Sequence, residues 1–301
     1  MEPWIAATIA AAFFQAIRFA LQKRLTGPAP GGAGLSASGA TWARFLWAAP
    51  FMSAGLFAWL WASQTPLPAL PAVFWAYAVA GGLSQILATI CVVALFSLRA
   101  FAVGLTFKKS EVLQTALLGW LVLGDGVTLP ALLALVAGFG ALALLSVPSG
   151  EIEPRAGLRA MALGLASGAF FAGAGVGYRG ATLALDGDPA LRAAVALALV
   201  TGIQTVVMAL WFAGRDRAQA KAVLRAWRPG LLVGITSLAG SFGWFFAFTQ
   251  QNAAYVFALG QVELVFGLIL GVWLFGERPA PRELVAMALL VASLVALVAV
   301  V

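Results

Sequence analysis

Three charged side chains fall within four residues at Lys108-Lys109-Ser110-Glu111, in surroundings so apolar that the cluster needs a chemical reason. On a helix advancing by about 100° per residue, Lys108, Glu111 and Thr115 lie within about 60° of one another and form one polar stripe. Lys109 points elsewhere, nearer Thr106. Such a stripe has two readings. It can line a central cavity, where a carboxylate binds an amine or exchanges a proton, or it can be an internal Lys–Glu pair that neutralises itself and ties helices together. An ionised side chain at mid-bilayer costs about 3 kcal/mol or more, so keeping three of them demands a cavity or partners.

The same frame returns 152 positions later without a gap. Glu111 falls on Glu263, Gly119 on Gly271, Gly124 on Gly276, Asp125 on Glu277 and Lys109 on Gln261. Glu263 has no basic residue in its own apolar segment and lies near the middle of it. It must find a partner elsewhere or be protonated, and burial raises a carboxyl pKa, so Glu263 is the leading candidate for proton coupling. The competing reading pairs it permanently with Arg18 or Lys109. Gln261, Asn252 and Gln250-Gln251 add polarity, and Asn252 stands eleven residues before Glu263, on nearly the same face.

Gln15, Arg18 and Gln22 follow one another at spacings of three and four on an otherwise apolar segment. Arg18 is too deep to be an end anchor. It either holds a substrate carboxylate bidentately or serves as a structural partner of Glu111 or Glu263. Gln85, Thr89, Gln204, Thr236, Ser237 and Ser241 also fall at membrane depth, where interhelical hydrogen bonding is their simpler use. Trp244 and Tyr255 flank these positions and are candidates for an apolar cavity wall.

The elements that must position these groups follow from composition. Of 301 residues, 62% are apolar and only 10% charged, with a mean hydropathy of +0.98; a soluble domain carries about a quarter charged residues. Apolar segments long enough to cross a bilayer recur at roughly 4–25, 39–62, 71–95, 101–122, 128–147, 157–182, 189–213, 230–249, 252–275 and 281–301, separated by short Gly- and Pro-rich connections. Five precede the Pro148–Gly157 linker and five follow it. An odd number per half makes the two copies enter the membrane from opposite sides. The expected fold is an all-α integral membrane protein of about ten transmembrane helices, built as two inverted five-helix repeats over 1–150 and 151–301. Glycines four apart (Gly164 and Gly168, Gly173 and Gly177, Gly230 and Gly234, Gly267 and Gly271) fit close helix packing.

Composition also excludes function classes. The net charge of +7 comes from basic residues at helix ends, with no basic patch interleaved with aromatics, so nucleic acid is not an expected partner. One cysteine, Cys91, and no histidine leave no internal disulfide and none of the usual transition-metal sites, and no cofactor is expected. No serine or cysteine nucleophile has a credible base, which disfavours an enzyme. Met1-Glu2-Pro3-Trp4 lacks the basic flank of a cleaved signal peptide, so the first apolar segment is expected to be retained.

Two copies of five helices, an arginine opening the second helix in Trp42-Ala43-Arg44-Phe45-Leu46, and a fourth segment ending in Gly-Asp or Gly-Glu resemble the EamA family of the drug/metabolite transporter superfamily. The resemblance covers nearly the whole chain. It implies a ten-helix carrier in the inner membrane whose central cavity is lined by both halves and which exports amino acids, metabolites or drugs. The family often has a proline where this chain has Val112. The expected partners are a small-molecule substrate, protons as coupling ion, and membrane lipid, with the protein a monomer or homodimer. An oligomeric channel or a structural membrane subunit is the alternative, though a symmetric channel needs no internal inverted repeat.

Orientation sets two expectations against each other. Lys23, Arg24, Arg99, Arg155, Arg159, Arg215, Arg217, Lys221, Arg225, Arg228, Arg278 and Arg282 fall on one side of the ten segments, and only Arg179 and Arg192 on the other. Short loops rich in Lys and Arg stay cytoplasmic, which places both termini outside. The family resemblance implies termini in the cytoplasm.

Overall fold

The computed structural model describes residues 2–27, 34–95, 107–145, 154–266, 269 and 281–300. Every regular element among them is helical. They are α1 (Pro3–Thr26), α2 (Ala37–Ser63), α3 (Ala72–Leu95), α4 (Glu111–Leu123), α5 (Leu129–Leu145), α6 (Pro154–Leu183), α7 (Pro189–Arg215), α8 (Arg217–Arg225), α9 (Trp227–Gln250), α10 (Ala253–Leu259), a 3-10 turn (Gly260–Val262) and α11 (Pro281–Val300). Local chemistry sets several ends. Ser36 caps α2 by accepting from Gly39 N, Asp188 caps α7 by accepting from Ala190 N and Leu191 N, and Gly124 ends α4 at φ +69°, a conformation suited to glycine.

Six of these helices are long and apolar enough to cross a membrane, and Glu111–Leu123, Leu129–Gly140, Ala253–Phe266 and Leu284–Val300 are shorter apolar helices. Large apolar side chains such as Phe57, Trp61, Trp120, Leu210 and Val295 face outward, which suits lipid rather than water. The chain is an all-α membrane protein. A short amphipathic helix, α8, separates α7 from α9 in a stretch expected to be only a loop. Asp216 caps it by accepting from Gln219 N.

Close packing between the halves rests on glycine. A Cβ on Gly177 of α6 would stand 2.7 Å from Gly81 Cα of α3, and one on Gly234 of α9 would stand 2.7 Å from the Trp47 backbone of α2. The paired glycines of the sequence therefore bring backbones together. Gly267 and Gly271 lie outside the described residues, as do Gly276 and Glu277, the end of the repeat frame.

The fourth segment is interrupted by a turn, and the ninth is a helix, Ala253–Phe266, that tightens to 3-10 geometry over Gly260–Val262. Lys109 and Ser110 form a turn, and α4 starts at Glu111; residues 101–106 lie outside the described part. Ser110 bonds back to Phe107 O through both its N and its Oγ, while Gln114 Nε2 donates to Ser110 Oγ. In the other half α10 stops at Leu259, the 3-10 turn follows, and Glu263 comes immediately after it. The turn at 109–110 and the turn ending at 262 thus occupy matching places in the 152-residue frame.

Candidate functional site

An ion pair stands at each of these places, buried at Lys108–Glu111 and partly buried at Lys109–Glu263. Lys108 Nζ lies 2.8 Å from Glu111 Oε1 and 4.7 Å from the centre of the Phe171 ring. Gln261 Nε2 donates to the same Glu111 oxygen at 3.3 Å, so the frame's two copies touch. Lys109 reaches Glu263, with Nζ 3.7 Å from Oε2. Thr106, toward which the continuous-helix reading turns Lys109, lies outside the described residues.

Glu263 is held from α1 as well. Gln15 Nε2 donates to Glu263 Oε2 at 2.6 Å, and Gln15 Oε1 accepts from Trp244 Nε1 and Arg18 Nη2, both at 3.2 Å. Arg18 Nη1 donates to Gln22 Oε1 at 2.9 Å, and Gln22 Nε2 to Ala40 O at 3.1 Å. The stripe read as Gln15, Arg18 and Gln22 is one hydrogen-bonded string. Arg18 meets neither glutamate directly; Gln15 stands between it and Glu263. Asn252 does not share a site with Glu263 either. It caps α10 through Ala254 N and donates to Asp125 O at 3.3 Å.

Next to this network lies an interior cavity. Gln15, Arg44, Phe45, Gln85, Tyr178, Gln204 and Trp244 are among its lining residues, which come from α1, α2, α3, α6, α7, α9 and α10. About 30 Å³ at its centre is free, room for about two waters. Of the two readings of the Lys108–Glu111 stripe, a cavity wall and an internal pair, the geometry shows the pair; neither these two nor Glu263 is among the residues that line this cavity. Gln15, Gln85 and Trp244 do line it. Tyr255 does not: its hydroxyl accepts from Thr128 N at 3.2 Å, and its ring packs with Val112 and Ala131.

Arg44 is the residue that sequence reasoning left out of the site. It was legible only as a mark of family resemblance, because its hydroxyl partners lie 45 to 197 positions away. Asp125 was legible as a helix-end residue, but its partner Arg179 entered only as a charge near the end of the segment 157–182, on the less basic side. The two form a bidentate pair, and Arg179 Nη1 also donates to Phe248 O at 3.0 Å and Gln251 O at 2.7 Å.

Residues 158–299 match the EamA-like transporter family. A solved crystal structure of a protein sharing 15% sequence identity superposes with a TM-score of 0.65, covering 97% of this chain and 99% of its own; at that identity the likeness concerns the fold alone. No curated protein sequence matches the chain.

Proposed function

On the premise that the second half of this membrane protein, residues 158–299, belongs to the EamA-like transporter family, we propose that the chain is a secondary carrier that exports a small organic metabolite, amino acid or drug across the inner membrane. Its ten apolar segments are read as spans, and residues 1–150 and 151–301 as inverted five-helix repeats. The turn at 109–110 and the 3-10 tightening at 260–262, irregularities at corresponding places in the two halves, support that reading.

One observation carries the proposal. The cavity wall takes Gln15, Arg44 and Gln85 from the first half and Tyr178, Gln204 and Trp244 from the second, so any rocking of one half against the other reshapes it. Gln15 couples that cavity to Glu263. Among the described residues it alone both lines the wall and bonds the carboxylate. Protonation of Glu263 removes the charge that holds Lys109 and weakens the acceptor that holds Gln15, and Gln15 is then free to turn toward substrate. Proton arrival and substrate occupancy are linked through that one amide.

Reconstitution into liposomes tests the reading. A carrier gives saturable counterflow of a preloaded solute, whereas ohmic current identifies a channel. Glu263→Gln is expected to abolish export driven by a pH gradient while leaving solute exchange intact. Equal loss of both activities, with unfolding in detergent, assigns Glu263 to structure instead.

A further inference from the structure

Arg44 stands apart from the ion pairs. It is 6% exposed and lines the cavity. Its Nε donates to Ser237 Oγ at 2.7 Å, Nη1 to Thr89 Oγ1 at 3.2 Å and Nη2 to Ser241 Oγ at 3.2 Å. All three acceptors are neutral. The ion pairs among the described residues are Lys108 with Glu111, Lys109 with Glu263 and Arg179 with Asp125, and none includes Arg44. Arg18, also buried, donates to the side-chain amides of Gln15 and Gln22 and lies over the Phe19 ring, with no carboxylate within ion-pair distance among the described residues. Among the described residues, four interior cations, Arg18, Arg44, Lys108 and Lys109, therefore face two carboxylates, Glu111 and Glu263, and each carboxylate already has its own lysine.

A buried guanidinium without a counter-charge is costly, and hydroxyl dipoles offset only part of that cost. Among the described residues, no aspartate or glutamate lines the cavity wall. The wall does supply a second donor. Tyr178 Oη accepts from Gln204 Nε2 at 3.1 Å, which leaves its own proton to point at an incoming acceptor. Phe45, Phe171, Phe245, Phe248 and Phe257 complete an aromatic enclosure.

We propose that this cavity, which holds about two waters as it stands and must widen as the halves move apart, takes a small organic anion, an aromatic monocarboxylate without an ammonium group, with its carboxylate on the Arg44 guanidinium and the Tyr178 hydroxyl. This inference deepens the carrier reading and rests on it for the claim of transport, though the binding site stands by itself. An amine meets Arg44 as a like charge, and the ammonium of a zwitterion finds no carboxylate in the wall. A carboxylate forms a charge-assisted fork with the guanidinium in place of the neutral hydroxyl contacts.

Titration calorimetry on the purified full-length protein in detergent, with benzoate, benzamide, benzylamine and inorganic phosphate as probes, tests the site. Benzoate is expected to bind about tenfold or more tighter than benzamide, with benzylamine weaker still, and Arg44→Gln to remove that preference. Phosphate is expected to bind more weakly than benzoate because it gains nothing from the aromatic wall. Equal or tighter binding of benzamide, benzylamine or phosphate overturns the proposal, and so does the absence of benzoate binding. Wild-type selectivity decides this even where Arg44→Gln fails to fold, and Arg44→Lys, which keeps charge but loses the fork, is expected to retain part of the preference. Benzoate counterflow in liposomes separates the two claims. Binding without counterflow sinks the carrier reading and leaves the anion site in place; counterflow of benzylamine but not benzoate keeps the carrier and sinks the anion site.

Discussion

Arg179 grips both carboxylate oxygens of Asp125 and turns its remaining nitrogen to the carbonyls of Phe248 and Gln251. Asp125 follows α4 in the first half of the chain, and Arg179 lies on α6 in the second. The carbonyls belong to the end of α9, so one side chain fastens three elements. Tyr178 and Phe248, which line the cavity, flank this fastening directly.

Only a planar fork can serve one carboxylate and two carbonyls at once. Arg179→Lys is therefore expected to destabilise the protein nearly as much as Arg179→Gln, each by about 2 kcal/mol, read as a lowered thermal midpoint in detergent. A midpoint unchanged in Arg179→Lys sinks the idea that geometry, rather than charge alone, fastens these helices.

Gly177 gives a steric prediction with its own control. A Cβ there would meet Gly81 Cα at 2.7 Å, Gly81 N at 2.9 Å and Tyr77 O at 3.0 Å. All of these are backbone atoms, so relief requires α3 and α6 to separate. Gly177→Ala is expected to cost about 1–3 kcal/mol. Gly202, on α7, has nothing within 4 Å of a built Cβ, and Gly202→Ala is expected to leave the thermal midpoint unchanged or raised. Equal effects of the two substitutions refute the close-approach argument.

The membrane segments were legible because lipid demands length and apolarity, and both are local properties. Glu263 and Lys109 were legible as charges that need partners, since a bilayer tolerates few of them. The turn before Glu111 was not, because a uniform 100° step cannot register Ser110 folding back on Phe107. The cavity was least legible of all. Thr89, Ser237 and Ser241 are ordinary helix residues until three helices bring their hydroxyls around one guanidinium, and Arg179 met Asp125 only through tertiary packing. Which charges are expensive can be read along the chain; which neighbour offsets each one is decided in space.

The Lys108–Glu111 pair separates a structural from a functional role. Both side chains are buried, and Glu111 Oε2 has no hydrogen-bond partner among the described residues. Lys108→Met strands the carboxylate and is expected to cost about 3 kcal/mol or more, while the double variant Lys108→Met with Glu111→Gln recovers much of that loss. Unfolding midpoints of both variants check the sign. A double variant no more stable than the single one removes the pairing argument, and a stable double variant without counterflow assigns Glu111 to transport.

Orientation is the last expectation to test, and the structure improves its probe. The connection from the end of α7 to the start of α9 carries Arg215, Arg217, Lys221, Arg225 and Arg228, of which Arg217, Lys221 and Arg225 stand on the short amphipathic helix α8. Gln219 is a poor labelling site there, because its side chain packs against Gly39 at the start of α2. Ala218 is exposed. The native thiol, Cys91, is only partly covered, so it is first replaced by alanine, and Ala218→Cys is then introduced alone. Short loops with excess Lys and Arg stay in the cytoplasm, so a membrane-impermeant maleimide is expected to spare Ala218→Cys in intact cells and to label it only after permeabilisation. Labelling of intact cells places this loop outside and both termini in the cytoplasm, against the charge count. In that arrangement the Asp125–Arg179 fastening, on the side of the termini, faces the cytoplasm.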